Sequence, residues 1–472
     1  MKKIYIIIAT LCSTAWAEIT EKKTARSFYN MQPLFSLGSR IAGWKSALFS
    51  KTPTTGLRIT GTATHSYKSS EMAQFFLFNH QESLIVRGSA HGDYESNTTN
   101  IRAEWLDLPN NFEGTLSVKP SYKSWGVMIT GKQSLQNLCD WSFLQRCSLF
   151  FELPIVHNET NLSFTQSNVS GAGATTDPVY DIVTAFNNPD WKYQKIPTKP
   201  SKKTDLSEIR LGLSNTFLSS DRALVAMVSA ISIPITKKYA NKYMFEAQPG
   251  YNGHPAIISS VHMALPLSDE QAETHFSLFL DAEHLFLLRT HQYRTFDLKN
   301  NPWSRFLRLR LKDQQTDVTI PAMNILTRKV RFSPYSQFDV LVGGKITGTY
   351  ATFELAFGAW GQYQGRIKFT DEWQEIYGIA GENANISAST STILKQQPYD
   401  NYFTPITEAD LDINSALSPA KAIYKTHAAL TIHPSGRDHP AFATLGWQMQ
   451  IPGNKTNGFT TWTLWGSVGG NF

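Results

Sequence analysis

Long runs of strict alternation constrain this chain more than any other feature. In Glu208 to Phe217, Ile209, Leu211 and Leu213 fall on one side, and Glu208, Arg210, Gly212 and Ser214 on the other. From Thr274 to Leu288 the even positions Phe276, Leu278, Leu280, Ala282, Phe286 and Leu288 are apolar, interrupted by His284, whereas the odd positions include His275, Ser277, Asp281 and Glu283. Period two over about ten residues, closed off by Gly, Pro, Asn or Asp, describes a strand whose two faces meet different solvents. Phe338, Val340, Val342 and Ile346 oppose Asp339 and Lys345; past the Thr347-Gly348 turn, Phe353, Leu355 and Phe357 oppose Thr352 and Glu354, which predicts a hairpin. The pattern returns in Phe306 to Lys312, in Tyr424 to His433, in Ala443 to Ile451 and in Phe459 to Phe472.

Earlier segments extend the set: 57–67, 72–79, 83–89, 115–119, 122–132, 148–157, 161–166 and 256–267. The fold class expected is therefore all-β, and two forms fit: a periplasmic or extracellular β protein, or an antiparallel transmembrane barrel of about 14 strands (12 to 16), the form in which strands of this length and patterning span a bilayer. Short helices sit in its long loops. One is expected from an Asp177 cap with Pro178 in the first turn and Val179, Ile182, Val183 and Phe186 on one face; a second opens at Thr407 and Asp410.

The N-terminus is a separate object. Lys2 and Lys3, the apolar run Ile4 to Cys12 and the small-x-small site Ala15-Trp16-Ala17 read as a secretory signal cleaved after residue 17. Residues 18–50 alternate poorly and suit a plug, a periplasmic tail or an extra strand; residues 51–472 form the barrel. Only 17% of the 472 residues are charged, against roughly 25% in soluble domains. The formal charge of +6 carries no concentrated basic block, which argues against a nucleic-acid partner.

The last strand adds a resemblance. Trp462, Leu464, Gly466, Val468 and Gly470 lead at two-residue steps to a terminal Phe472. This resembles the closing strand of Gram-negative outer-membrane β-barrel proteins, porin-like or channel-like, in which such a row is read by the barrel-assembly machinery. Gly470 and Ser467 depart from that pattern. A looser likeness links the blocks 187–189, 245–246 with 253–254, and 294–298 with 303–305 to uncharacterised outer-membrane barrels of intracellular bacteria. The resemblance implies a bacterial outer-membrane location, membrane lipid and the assembly machinery as partners, and Phe472, Val468, Leu464 and Trp462 as the assembly signal. Aromatic girdles would include Tyr424, Trp447 and Trp462.

No G-x-S-x-G elbow, H-E-x-x-H, Walker loop or dinucleotide fingerprint is present, so neither an enzyme nor a cofactor or metal is expected. Pore-lining candidates are the charges on polar strand phases: Arg308, Arg310 and Lys312, with Asp281 and Glu283 on the strand before, and Lys345 and Glu354 on the hairpin. Arg or Lys facing lipid at mid-bilayer costs roughly 2 to 4 kcal/mol, so the basic ladder is expected to point inward, as an ion-biasing element or as structural pairing. Cys139 and Cys147 flank a short loop and are a possible disulfide in an oxidising compartment. The expected function is transport or passive diffusion of small solutes. The alternatives are a non-transporting barrel for adhesion or envelope structure, and an outer-membrane lipase.

Overall fold

The computed structural model describes residues 32–45, 54–77, 81–91, 100–136, 144–171, 181–220, 223–236, 238, 240–268, 273–312, 319–380, 403–434, 441–454 and 458–472. Twelve long strands, β1 to β12 in chain order, form the wall: Gly56–Tyr67, Ser121–Ser134, Cys147–Asn161, Glu208–Ser220, Ala223–Pro234, Ala256–Pro266, His275–Leu287, Tyr335–Thr347, Ala351–Gln362, Lys421–Ile432, Ala441–Pro452 and Thr460–Asn471. Each pairs antiparallel with the next, and β12 returns to β1 with Gly56 opposite Asn471, so the sheet closes with no edge. Beyond Ser207, β4 continues along β3 as Ser201–Leu206, offset by one residue: Ile155 faces Leu206 where Glu152 faces Arg210.

Alternation is what builds this wall. On β9, Phe353, Leu355 and Phe357 point out and Thr352, Glu354 and Ala356 point in. On β12, Leu464 and Val468 point out and Thr463, Trp465 and Ser467 point in. Inward Thr side chains tie neighbouring strands, as between Thr64 and Thr463 (2.8 Å) and between Thr431 and Thr444 (3.0 Å).

The two ends differ. At the end that holds Gly56 and Phe472, the strands are joined by residues 135–146, 221–222, 267–274, 348–350 and 433–440. At the other end the connections are long, 68–120, 162–207, 235–255, 288–334 and 363–420, with only 453–459 short. In the outer-membrane barrels that the sequence resembles, short turns face the periplasm and long loops the outside, and by that resemblance the long connections take the outer end. All six outer connections contribute to one apolar core, including Phe75, Phe112, Phe186, Phe245, Phe306, Ile406 and Phe459. Loops from the whole circumference that share a core must lie across the mouth; this is the cap.

The cap accounts for the excess over twelve strands. Segments 83–89, 115–119 and 161–166 contribute to a small four-stranded sheet there, in which Ser83–Arg87 pairs with Glu113–Val118 and the latter with Phe164–Ser170. Segment 72–79 is not a strand: Ser69–Phe76 is helical, burying Met72, Phe75 and Phe76 at i, i+3 and i+4. The helix expected from Asp177 begins instead at Ile182, where Asp181 accepts from the N–H groups of Val183 and Thr184; residues 177–180 lie outside the described residues. Thr407 and Asp410 form the reciprocal capping box of a single turn, Glu408–Asp410.

Candidate functional site

Inside the wall lies the stretch 32–45, whose middle turn, Leu37–Ile41, is a short helix capped by the Ser36 hydroxyl. It runs the length of the lumen. Gln32 meets Gln450 near the cap, Ser36 donates to Gln448 Oε1 (2.7 Å), and the Trp44 indole N–H donates to Asn471 Oδ1 (3.0 Å) at the opposite end. Among the described residues, no part of it pairs with a wall strand. Side chains hold it.

Two cations dominate the contact. Arg40 reaches Glu152 on β3 (2.9 Å) and Glu283 on β7 (2.6 Å), and Lys45 reaches Asp281 on β7 (3.0 Å) and Glu354 on β9 (2.9 Å). The Lys45 ammonium also lies over the Phe279 ring, 3.3 Å from its centre. From the wall, Arg58 on β1 donates to the carbonyls of Ser39 (2.7 Å) and Arg40 (2.6 Å). Asp339 on β8 accepts from Lys425 (2.6 Å) and from the N–H of Leu37 (3.4 Å). Arg210 stands behind Glu152 and Glu283 at 3.6 and 3.9 Å, bonded to Glu208 and Tyr251. All these side chains are buried. Because transfer of ions from water costs several kcal/mol each, such a network persists only while every member keeps its partner.

Leu37 and Ile41 supply the apolar side of the fit, packing with Phe279, Leu341 and Ala356. Gly38 lies so close to His427 that a Cβ would come within 2.6 Å of the ring. Open space remains around residues 32–35: one cleft reaches past Tyr122, Val156, Phe245 and Tyr251, and a smaller one borders Thr64, Ile423 and Thr463.

Of the sequence-derived pore candidates, Asp281, Glu283, Glu354 and Lys345 face inward on wall strands, where the first three meet Arg40 and Lys45. Arg308 and Arg310 do not lie on a wall strand. They belong to Arg308–Leu311, a short cap strand paired with Ile320–Pro321 and Tyr377–Ala380. Leu307 and Leu309 are buried in the cap core rather than lipid-facing, and Lys312 is exposed. Arg308 pairs with Asp107 (2.9 Å), whose carboxyl is raised by burial against the opposing pull of Arg308. The ladder thus alternates between protein core and water, two solvents that sequence cannot tell from lipid and lumen. Nothing in the sequence pointed to Arg40 or Lys45; the acid surplus on the inner phase of β7 was the signal that a cation had to arrive from elsewhere.

Outside, the wall carries a continuous apolar band, with polar residues such as Lys123, Glu159 and Gln133 toward its two ends. From Phe276 to Leu288 the outward row of β7 spans about 30 Å at a strand tilt of about 40°, and Leu57, Ile59, Leu211, Leu213, Ile231, Ile257, Phe353, Leu445 and Leu464 are all exposed. A closed barrel carrying such a band has lipid as its outer solvent. The chain is an outer-membrane β-barrel. Tyr424, Trp462, Phe338 and Tyr363 mark the cap-side rim of the band; Trp447, opposite Ala428 and Leu464 at mid-height, is lipid-facing but not a girdle residue. Leu464, Val468 and Phe472 point outward, and the N–H of Phe472 donates to the carbonyl of Thr55 (2.9 Å). Cys139 and residues 1–31, with the expected signal, lie outside the described residues; Cys147 is buried, its sulfur accepting from Asn215 Nδ2 (3.1 Å).

No family model and no curated protein matches the chain. Among solved structures it is similar to the COG4313 outer membrane channel from Pseudomonas putida F1 (7% identity, TM-score 0.40, covering 89% of this chain and 96% of that one). It is also similar to the transport unit of the autotransporter AIDA-I from Escherichia coli (8%, 0.33, covering 93% and 99%) and to a Pseudomonas aeruginosa FadL homologue (9%, 0.29, covering 95% and 100%). All three TM-scores fall below 0.5; what makes this chain a membrane barrel is its own closure and outward band.

Proposed function

We propose that the barrel passes small solutes across the outer membrane and that the segment within residues 18–50 is its plug, the stretch 32–45 closing the lumen. The observation that carries this reading is the way the stretch is held: two cations set against four carboxylates of β3, β7 and β9, without a backbone ladder to the wall. An element of the wall would be paired; an element held by side chains leaves as a unit. The inner phase it would vacate is Thr-, Gln- and charge-lined, as an aqueous path requires.

The test is conductance in planar bilayers. Full-length mature protein is expected to conduct little, and deletion of residues 18–45 to open steady channels. A Ser36→Cys, Gln448→Cys disulfide should keep the barrel shut until reduced. A folded deletion variant that never conducts would overturn the channel reading. That outcome favours a closed envelope barrel, a second reading supported by the cap core spanning the mouth.

A further inference from the structure

We propose that the outer surface just above the lipid band, on the β7 to β9 side, binds the phosphates of an outer-leaflet lipid headgroup. This goes beyond transport and is independent of whether the lumen opens.

Three wall strands do not stop at the membrane. The β7–β8 pairing offset, Leu287 opposite Tyr335, is interrupted at residues 288–289 and resumes in the same register in the cap as Thr290 opposite Phe332, and the β8–β9 offset, Gln337 opposite Gln362, resumes as Ser333 opposite Arg366. A small three-stranded sheet, Thr290–Thr295, Thr327–Ser333 and Arg366–Phe369, is therefore the upward extension of the wall. At the junction Leu288 and Arg289 are both exposed and Tyr335 takes a left-handed φ of 62°, so the outward phase shifts by one residue.

That shift changes what faces out. Below it stand Phe286 and Leu288; above it stand Arg289, Arg331, Arg366, Lys368 and Lys329, with His291 among them. Arg331 is flanked across the sheet by His291 on one side and Lys368 on the other, and Arg366 sits one step nearer the membrane opposite Ser333. Cross-strand neighbours lie roughly 5 Å apart and like charges placed so repel. Carboxylates are absent from these outward positions, and Arg366 lies over the Tyr335 ring. The alternate phase, by contrast, is satisfied inward: Gln292 and Arg294 bond within the cap.

Height selects the ligand. The polar headgroup layer occupies about 5 to 8 Å beyond the hydrocarbon edge, and the cations begin one residue past Leu288, at a rise of roughly 3.3 Å per residue. A ligand that fills this surface and continues onto Phe286, Leu288 and the aliphatic row beneath must have phosphates at one end and acyl chains at the other. Five cations within three rows suit more than one phosphate.

The experiment uses the full-length protein in phosphatidylcholine nanodiscs, titrated with a bisphosphorylated acylated glucosamine disaccharide and, in separate arms, with its dephosphorylated form and with inorganic pyrophosphate. The bisphosphorylated lipid is expected to bind at least tenfold more tightly than either. The Arg331→Gln, Arg366→Gln, Lys368→Gln variant should lose that preference, whereas Lys192→Gln, Lys199→Gln, altered at exposed lysines of the connection between β3 and β4, should keep it. Equal binding by the first variant, or pyrophosphate competing at the lipid's own concentration, would overturn the proposal. Should that variant fail to fold, wild-type affinity decides: it should fall about tenfold or more between about 50 and about 500 mM salt, and an affinity indifferent to salt would overturn it.

Discussion

Replacing Arg40 with Met keeps an unbranched apolar stem and removes the guanidinium on which Glu152 and Glu283 converge. Breaking a buried ion pair by removing one partner costs about 3 to 5 kcal/mol. Here Arg210 stays within 4 Å of both carboxylates and Ser260 still donates to Glu283 (3.2 Å), so the lower end, about 3 kcal/mol, is the expected loss. Because Arg40 belongs to the lumen segment and its partners to the wall, the loss falls on docking rather than on the barrel. At about 1.4 kcal/mol per tenfold, the undocked population should rise by roughly two orders of magnitude. The assay is thiol labelling of Ser36→Cys in a background lacking Cys139 and Cys147, read beside bilayer conductance and heat-modifiable mobility. Labelling should accelerate about a hundredfold in Arg40→Met while mobility is retained. Adding Glu152→Gln and Glu283→Gln should slow it again, since no uncompensated buried charge remains. Unchanged labelling in folded Arg40→Met would refute the clamp.

Gly38→Leu is expected to expel the segment by collision with His427 and to give open channels in planar bilayers without loss of barrel mobility. In the cap, Arg305 binds Asp297 through two nitrogens (2.8 Å each) with both buried; Asp297→Asn should cost the cap about 3 kcal/mol or more, read as early thermal loss of tryptophan fluorescence. Leu464→Arg, at mid-height on the lipid face, should cost roughly 2 to 4 kcal/mol in urea unfolding from bilayers, and deletion of Phe472 should slow assembly, measured by membrane yield over time. His254, in the connection before β6, has its pKa lowered from 6.5 to about 4 by burial; Nδ1 donates to the Leu288 carbonyl (2.7 Å) and Nε2 accepts from Gln292 (2.7 Å). The unfolded chain takes up this proton first, so stability is full above pH 6.5 and falls as the pH drops toward 4, by about 3 kcal/mol; cap melting that tracks pH equally in His254→Gln would refute the assignment.

Wall strands such as His275–Leu287 and Ala351–Gln362 were legible in sequence because lipid and lumen impose opposite chemistry on alternate residues for ten positions or more. The same rule misled where a strand is two-faced for another reason. Ser83–Arg87 and Arg308–Leu311 alternate between cap core and water, and the period carries no mark of which solvents are meant. Ser69–Phe76 was missed because its buried Met72, Phe75 and Phe76 come in a window too short to tell helix from strand.

The lumen segment was illegible for a different reason. Its residues answer to no single solvent: Leu37 and Ile41 pack on the wall, Arg40 and Lys45 neutralise acids more than a hundred residues away in sequence, and Gly38 yields to a histidine. Five helical residues cannot show a period. What the sequence did carry was the complement, Asp281 and Glu283 on the inner phase of β7 with too few cations along that strand to balance them. Arg308 and Arg310, which alternation alone nominates as their counterparts, lie on a cap strand. A buried carboxylate in a closed barrel must find a cation, and because other wall strands also turn Arg58, Arg210, Lys345 and Lys425 inward, only the folded geometry shows that the acids of β3, β7 and β9 receive a segment that is not part of the wall. Arg40 and Lys45, five residues apart, supply its cations.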